Sequence, residues 1–433
     1  MSSPLTQRIV EEYAGFARTL AAADAAEPRR RDAIGALETA GLPTSRDENW
    51  KYANLRPLER QRFTPAANAA AQVPELPTGF DGFARYVLVD GALVAGASAA
   101  LATVGATVAF SAHAAPPHAA AGARENPEVA RDQRLALLSD AFAPSDLTIR
   151  VVRAPQPARL EVLFVASAAA SEGASYPRLQ LEVESGASLI LIERHLSASA
   201  AGSFVDGAVS IELGPGASLE HYRLQELNGR SIFFDTLAAQ LGQDARYRLH
   251  GIGSGAQSAR STLGVRLAGE RAQLALAIAT LGERQQVQDT YARVEHAAPG
   301  TRTVQTFRGI AADRSRVACN GKIVVGRGAA GSDSQQSLRG LLAGPEAEID
   351  VRPQLEIYTD EVRCSHGATA GKLDDNMLFY LLSRGLSPES AQRLLKWAFL
   401  EDAIAQITLP QLRRQIETRF AAGLHDETLL ELL

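Results

Sequence analysis

A β-solenoid flanked at both ends by α-helical segments is the fold that this 433-residue sequence predicts. Three observations predict it. Short apolar runs of strand character, among them LTIRVV, RLEVLFVA, RLQLEVE and SLILIERHL, fill the chain from about Leu147 to Cys364, parted by Gly, Pro and Ser. A weak repeat runs through them. Gly186-Ala187-Ser188-Leu189 returns as Gly216-Ala217-Ser218-Leu219 and echoes as Asp244-Ala245-Arg246-Tyr247 and Arg271-Ala272-Gln273-Leu274. The Leu189, Leu219, Tyr247 and Leu274 positions lie 30, 28 and 27 residues apart, a spacing that suits stacked units. Both outer parts of the chain carry helical periodicity and capping residues instead. The intervals between strands are too short and too β-like for alternating helices, which argues against a βαβ fold, and the stacking argues against a sandwich. Each rung of a solenoid leaves an apolar edge for the next, so both ends need caps, and the flanking helices are placed to supply them.

Taken in order, Leu5 to Leu20 is apolar at Ile9, Val10, Tyr13, Phe16, Ala17 and Leu20, near helical spacing. A second helix is expected from Arg29 to Ala40, stopped by Gly41 and Pro43. The polar and aromatic segment 45–58 follows, with Trp50 and Tyr52 expected to dock on the next domain. Residues 1–63 are thus read as an N-terminal helical domain. Residues 64–80, rich in Pro, Ala and Gly, read as a linker. Arg85 to Val89, the Asp90-Gly91 turn signal and Ala92 to Val94 predict a β-hairpin. It opens a β core spanning 81–366, with loop and short helix at 113–146, where Arg134 to Phe142 is the helical part. Residues 367–433 read as a C-terminal helical domain. In it Leu373 to Arg384 is helical and closed by Gly385. Ser387-Pro388-Glu389 opens a helix to about Ile404, with a side-chain cap, a first-turn proline and an acid at the positive end of the dipole. A last helix runs from near Pro410 to near Ala422.

Composition excludes several classes. The net charge of −5 leaves no electrostatic footprint for nucleic acid. Two cysteines, Cys319 and Cys364, are too few for a secreted disulfide scaffold and suit a reducing, cytoplasmic compartment. The N-terminus MSSPLTQRIVEEYAGF has no basic region ahead of an apolar core and does not read as a signal peptide. Residues 91–122 hold no Asp, Glu, Lys or Arg, but they are mostly Ala, Gly, Ser and Thr and end in His113, Pro116, Pro117 and His118. They read as small-residue strand and loop, with no role for a membrane.

No catalytic constellation is present. The sequence has no GxxxxGK[ST] phosphate loop, no HExxH, no CxxC pair and no GxSxG elbow. Cys319, in VACNGKIVV, reads as a buried core thiol. The run 289–296, with Asp289, Glu295 and His296, reads as a strand with one polar face. The chemically dense spot is Cys364-Ser365-His366. Two residues apart in an extended segment, Cys364 and His366 point to one side, and both can ligate iron or an iron–sulfur cluster. A closed site needs about four ligands. The pair is therefore either a buried thiol beside a hydrogen-bonded histidine or a half-site completed by another chain.

Residues 352–386, RPQLEIYTDEVRCSHGATAGKLDDNMLFYLLSRGL, resemble the signature of the SufB/SufD family of iron–sulfur cluster assembly scaffolds. Further matching stretches are ENWKYANL at 48–55, RYVLVDGALV at 85–94, HAAPGTRTVQTFRGI at 296–310 and QQSLRGLLAGPEAEIDVRPQLEI at 335–357. The CSHGAT core at 364–369 is similar to the SufD branch, whereas SufB carries a pattern nearer HEATTSKI. Ala53 stands where a Thr is usual after WKY. The resemblance covers most of the chain in order and is weakest over 64–80 and 95–130. It implies a right-handed parallel β-helix flanked by helical domains. It implies a scaffold without turnover that pairs with SufB through the β-helix, docks the SufC ATPase on C-terminal helices, serves a cysteine desulfurase system indirectly, and forms a homodimer when alone. His366 and Cys364 are then placed at a shared cluster-assembly interface where SufB contributes a cysteine. The nascent iron–sulfur cluster or iron, and a reduced flavin, belong to the complex and not to the isolated chain. Two other readings are a SufB-type scaffold, disfavoured by the CSHGAT core, and a β-helix carbohydrate enzyme, for which no acidic row and no secretion signal is evident.

Overall fold

The computed structural model describes residues 3–18, 26–65, 75–100, 102–103, 105–111, 127–167 and 173–424. From Asp146 onward most strands alternate between two sheets. One sheet stacks Asp146–Val151, Arg178–Val183, Ser203–Leu213, Ile232–Leu241, Ser258–Leu267, Val287–His296, Arg316–Val325 and Glu348–Ile357. The other stacks Ala84–Val89, Ala158–Ala166, Ser188–Ser197, Ser218–Glu226, Arg246–Ser254, Gln273–Gly282, Arg302–Ala311, Ser332–Leu342 and Val362–Gly371. Neighbours in both stacks pair in parallel. Two parallel sheets fed alternately by one chain make a parallel β-solenoid, as expected. The last strand runs to Gly371, past position 366.

The sequence repeat is the solenoid's corner. Gly186, Gly216, Asp244 and Arg271 all adopt left-handed backbone, with φ of 67°, 66°, 55° and 57°. Glycine takes this conformation freely and other residues at a cost of about 1–2 kcal/mol. The alanine after each, at 187, 217, 245 and 272, is fully buried where the corner is tight. Two residues on, Leu189, Leu219, Tyr247 and Leu274 stack in register. The same corner recurs at Gly300 (φ 65°) and Gly331 (φ 73°), where the sequence carries no echo of the repeat.

Side chains of alternate strand positions fill the space between the sheets with one apolar core. It includes Leu189, Leu191, Leu219, Leu249, Leu263, Leu276 and Phe307. The outward positions are also apolar on both sheets, and helices cover them. Helices Pro388–Ile404 and Pro410–Gly423 lay Trp397, Leu400, Ile404, Leu412, Ile416 and Phe420 against Ile192, Tyr222, Leu224 and Ile252. Ser387 accepts from the Ser390 N–H as the expected cap. Helices Pro4–Ala17, Glu27–Ala40 and Ala136–Phe142 cover the other sheet, where Leu5, Ile9 and Leu37 join a cluster with Phe204 and Phe234. Trp50 docks as expected, fully buried beneath the Arg260 guanidinium at 4.1 Å.

The helices therefore cover faces, not ends, which corrects the expected capping role. The N-terminal end is closed by antiparallel strands. Ala106–Ser111 lies on Asp146–Val151, and Ala92–Leu93 folds back on Ala84–Val89 through Asp90 and Gly91, both at positive φ. The described part of 91–122 is thus the expected small-residue strand, while 112–126 falls outside the described residues, as does most of the expected linker (66–74). Thr64–Pro65 pairs with Gly173–Ser175. No helix among the described residues is long and apolar enough to cross a membrane.

Two buried histidines make the fold acid-sensitive. His250 stacks on Tyr222 at 4.9 Å, and neither ring nitrogen has a partner among the described residues. His296 is held by the hydroxyls of Thr301 and Thr303. Burial lowers both to about 4. The unfolded chain takes up these protons near pH 6.5 and the folded chain only near 4. Their contribution is full above pH 6.5 and is lost as the pH falls towards 4. Moving from pH 7 to pH 5 is expected to cost on the order of 2 kcal/mol per histidine. Urea unfolding at the two pH values checks this, and an unchanged midpoint would contradict it.

Candidate functional site

Among the described residues, the C-terminal end of the solenoid is open. Strands Glu348–Ile357 and Val362–Gly371 are last in their sheets and pair on one side only, with Arg316–Val325 and Ser332–Leu342. Their inward side chains are partly covered: Ile349, Val351, Leu355, Val362 and Cys364 are all half-buried. Exposed strand edges present unpaired N–H and C=O groups that invite another strand.

Strand alternation places Cys364 and His366 on the inward face of this mouth. Cys364 continues the interior row of Tyr247, Leu274, Thr303 and Ser334. It packs beside Ile323, Val325 and Leu355. His366 continues the row of Leu249, Leu276, Gln305 and Gln336 and is exposed at the rim. The interior thus changes character along its axis. The Cys364 row is apolar or aromatic at the middle rungs and polar at the last ones, and the His366 row, beyond the buried His221, passes from Leu249 and Leu276 to Gln305 and Gln336. The expected juxtaposition of Cys364 and His366 on one side is what the register produces.

Burial raises the Cys364 thiol, and the Asp333 carboxylate raises it further, against a backbone hydrogen bond from Ser334. The free thiol is therefore protonated at neutral pH. No group of three or more His, Cys, Asp or Glu able to hold a metal occurs among the described residues. Cys364 and His366 are thus two donor side chains on this face, with no third beside them among the described residues.

The other residues singled out from sequence are structural. Cys319 is 2% exposed in the interior row Ser261, Thr290, Cys319, Val351, and burial pushes its thiol up. The strand Val287–His296 has no polar solvent face, because the N-terminal segment covers its outer side. Asp289 pairs with Arg260, and Asn49 hydrogen-bonds Tyr291. His296 is buried, and Glu295 pairs with Arg293.

Two features were not found from sequence. One is a buried ionic cluster inside the middle rungs. Glu193 accepts from Arg223 (2.8 Å), His195 (2.7 Å) and His221 (3.0 Å). Arg223 also reaches Asp235 (2.7 Å), which accepts from Ser261. The signal was Glu193-Arg194-His195 inside the otherwise apolar run SLILIERHL. The other is the exposure of helix Asp375–Ser383, which buries no residue and presents Met377 (53% exposed), Phe379 (73%) and Tyr380 (53%) to solvent. Its apolar positions are legible in sequence, but not that Met377, Phe379 and Tyr380 stay exposed while Leu378, Leu381 and Leu382 are half-buried.

Residues 164–399 match the family described as SUF system FeS cluster assembly, SufBD core domain. The iron–sulfur cluster assembly protein SufD of Escherichia coli K12 is 30% identical over 403 residues, covering 92% of this chain and 93% of that protein. The SufBD family protein slr0076 of Synechocystis is 27% identical over 411 residues, covering 90% and 89%. The chloroplastic protein ABCI7 of Arabidopsis thaliana is 26% identical over 243 residues, covering 56% and 51%.

Proposed function

The chain belongs to the SufBD family of iron–sulfur cluster assembly proteins, and from that premise we propose that it is the SufD-type scaffold subunit of an assembly complex with SufB and the SufC ATPase. The observation that carries the proposal is the open end of the solenoid with Cys364 and His366 on its inward face. A SufB solenoid set against this end would satisfy the free edges of Glu348–Ile357 and Val362–Gly371 and cover Ile349, Val351, Leu355 and Val362. The two donors would then face whatever ligands SufB brings. His366 either ligates iron or handles protons during assembly, and Cys364 lies one pleat away as a second ligand. The growing cluster is cargo held between chains. A reduced flavin, if used, acts in the complex.

SufC is assigned to the C-terminal helices. Helix Asp375–Ser383 offers an uncovered apolar surface, while the next two helices are packed on the sheet. Asp402 on the longer helix bonds Arg308 of the sheet, and Thr408 bonds Tyr222. Movement of a docked ATPase would therefore reach the solenoid through packed side chains.

The test is His366→Ala in the reconstituted complex. Pulldown of SufB and SufC is expected to remain intact, since His366 is an exposed rim residue, while iron and sulfide per complex fall severalfold. Iron and sulfide quantified anaerobically, for this chain alone and for the complex, give the readout. Unchanged cluster content in the variant would refute the role.

A further inference from the structure

We propose that the segment from Glu48 to Tyr52 is a strap that braces one of the two edge strands at the open end, so that Glu348–Ile357 is a preformed edge and Val362–Gly371 an adaptable one. The bracing does not depend on what docks there, while its consequence for docking rests on the SufB reading above. Tyr291, Asn320 and Arg352 form one outward row at successive rungs, ending on the last strand of its sheet. The strap lies along this row. Asn49 Nδ2 donates to the Tyr291 hydroxyl at 3.1 Å and to the Asp132 carboxylate at 3.0 Å. Asn320 Nδ2 donates to Asn49 Oδ1 at 3.2 Å. Glu48 then pairs with Arg352. Behind them Trp50 is 1% exposed beneath Arg260, and the Tyr52 ring lies 5.4 Å from the Arg316 guanidinium.

Burial separates the anchor from the ties. Tyr291, Asn320 and Asp132 are all buried, so the Asn49 joint sits where an unmade hydrogen bond is costly. The Glu48–Arg352 pair is at the surface, and one such pair contributes little alone. Other ties act with it. Lys322, buried on the same outer face, joins Glu128 of helix Pro127–Asp132 to Glu356 of the last strand. Arg316 reaches Asp350 at 2.9 Å. Asp350, Arg352 and Glu356 are thus all held from earlier rungs or from the segments packed on them. The other edge strand has no such ties. Arg363, Ser365 and Thr369 point outward and are exposed, and none makes a side-chain hydrogen bond or ion pair among the described residues. A strand hydrogen-bonded on one side only opens most readily, and ties on its outer face oppose that. A braced edge offers its unpaired N–H and C=O groups in fixed register, so a docking strand does not have to order it first.

The experiment reads amide hydrogen exchange in the isolated full chain, by mass spectrometry on peptides from both edge strands. In the native chain Glu348–Ile357 is expected to exchange about tenfold more slowly than Val362–Gly371. Asn49→Ala removes the buried joint, and Arg352→Met with Glu356→Gln cuts only ties to the last strand. Each is expected to raise exchange in Glu348–Ile357 by about threefold or more, with Ile232–Leu241 in the middle of the same sheet unchanged. The paired variant leaves the packed segment untouched and serves if Asn49→Ala does not fold. Equal exchange in the two native edge strands overturns the proposal, and so does unchanged exchange in Glu348–Ile357 of the paired variant. Because this readout needs no partner, faster exchange in Asn49→Ala with undiminished SufB affinity would leave the strap standing and count against pairing of SufB on this edge.

Discussion

Phe379→Asp is expected to weaken docking of a SufC-type ATPase by about a hundredfold or more, while the thermal midpoint stays within about 2 °C of the native chain. The physical case is the state of helix Asp375–Ser383. It is properly formed. Asp374 accepts from the N–H groups of Asn376 and Met377, and Gly385, at φ 95°, closes the C-terminal end. Yet none of its residues is fully buried, and Phe379 is 73% exposed between Met377 and Tyr380. A fixed apolar surface of this kind marks a protein contact, and its aromatic residue is the natural anchor. A charge there meets only water in the free chain and is desolvated in the complex. Titration calorimetry with separately purified SufC measures the effect, and binding within threefold of native would exclude this helix as the dock. Removing everything after Gly385 is not an equivalent test. It would also strip Trp397, Leu400, Ile404, Ile416 and Phe420 from the sheet and expose the face they cover.

Arg223→Met is expected to cost about 3–5 kcal/mol of folding stability at neutral pH. Burial pushes the Glu193 carboxyl up, but the Arg223 guanidinium and the hydrogen bonds of His195 and His221 more than reverse this and hold it well below the usual range. Asp235 takes its ion pair from the same guanidinium. Removing Arg223 therefore leaves two carboxylates in the solenoid interior with only histidines and a serine hydroxyl to answer them. Glu193→Leu combined with Arg223→Met is expected to recover part of the loss, since the uncompensated charge is what costs most. Urea denaturation of the single and double variants gives the comparison. A single-variant loss below about 1 kcal/mol would show that water or a neighbouring group replaces the arginine.

Much of the fold was legible because it is written locally. The turn at Asp90-Gly91, the cap at Ser387 and the stop at Gly385 each depend on residues within one turn, and the structure places each where the residues put it. The corner repeat was legible at Gly186, Gly216, Asp244 and Arg271 because a left-handed residue followed by a buried alanine leaves a visible pattern. Gly300 and Gly331 are not legible in this way, because Thr301 and Ser332 replace that alanine. The helices were found, but their placement on the sheet faces was not. The outward apolar residues that receive them, such as Tyr222, Leu224 and Ile252, alternate with inward ones and look alike in sequence. At the site, Cys364 and His366 were found by their spacing and by family resemblance.

By itself the sequence determined the solenoid, most of its corners, the helical flanks and the spacing that sets Cys364 and His366 on one side of a strand. These follow from backbone preference and strand alternation, which act over a few residues. Tertiary structure decided that the C-terminal end is open, that Cys364 and His366 face inward there, that Glu193 and Arg223 meet in the core, and that Phe379 lies bare. Each depends on which residue from about thirty positions away arrives one rung along, or on no residue arriving at all. Burial and exposure are properties of that arrangement and not of any stretch of chain.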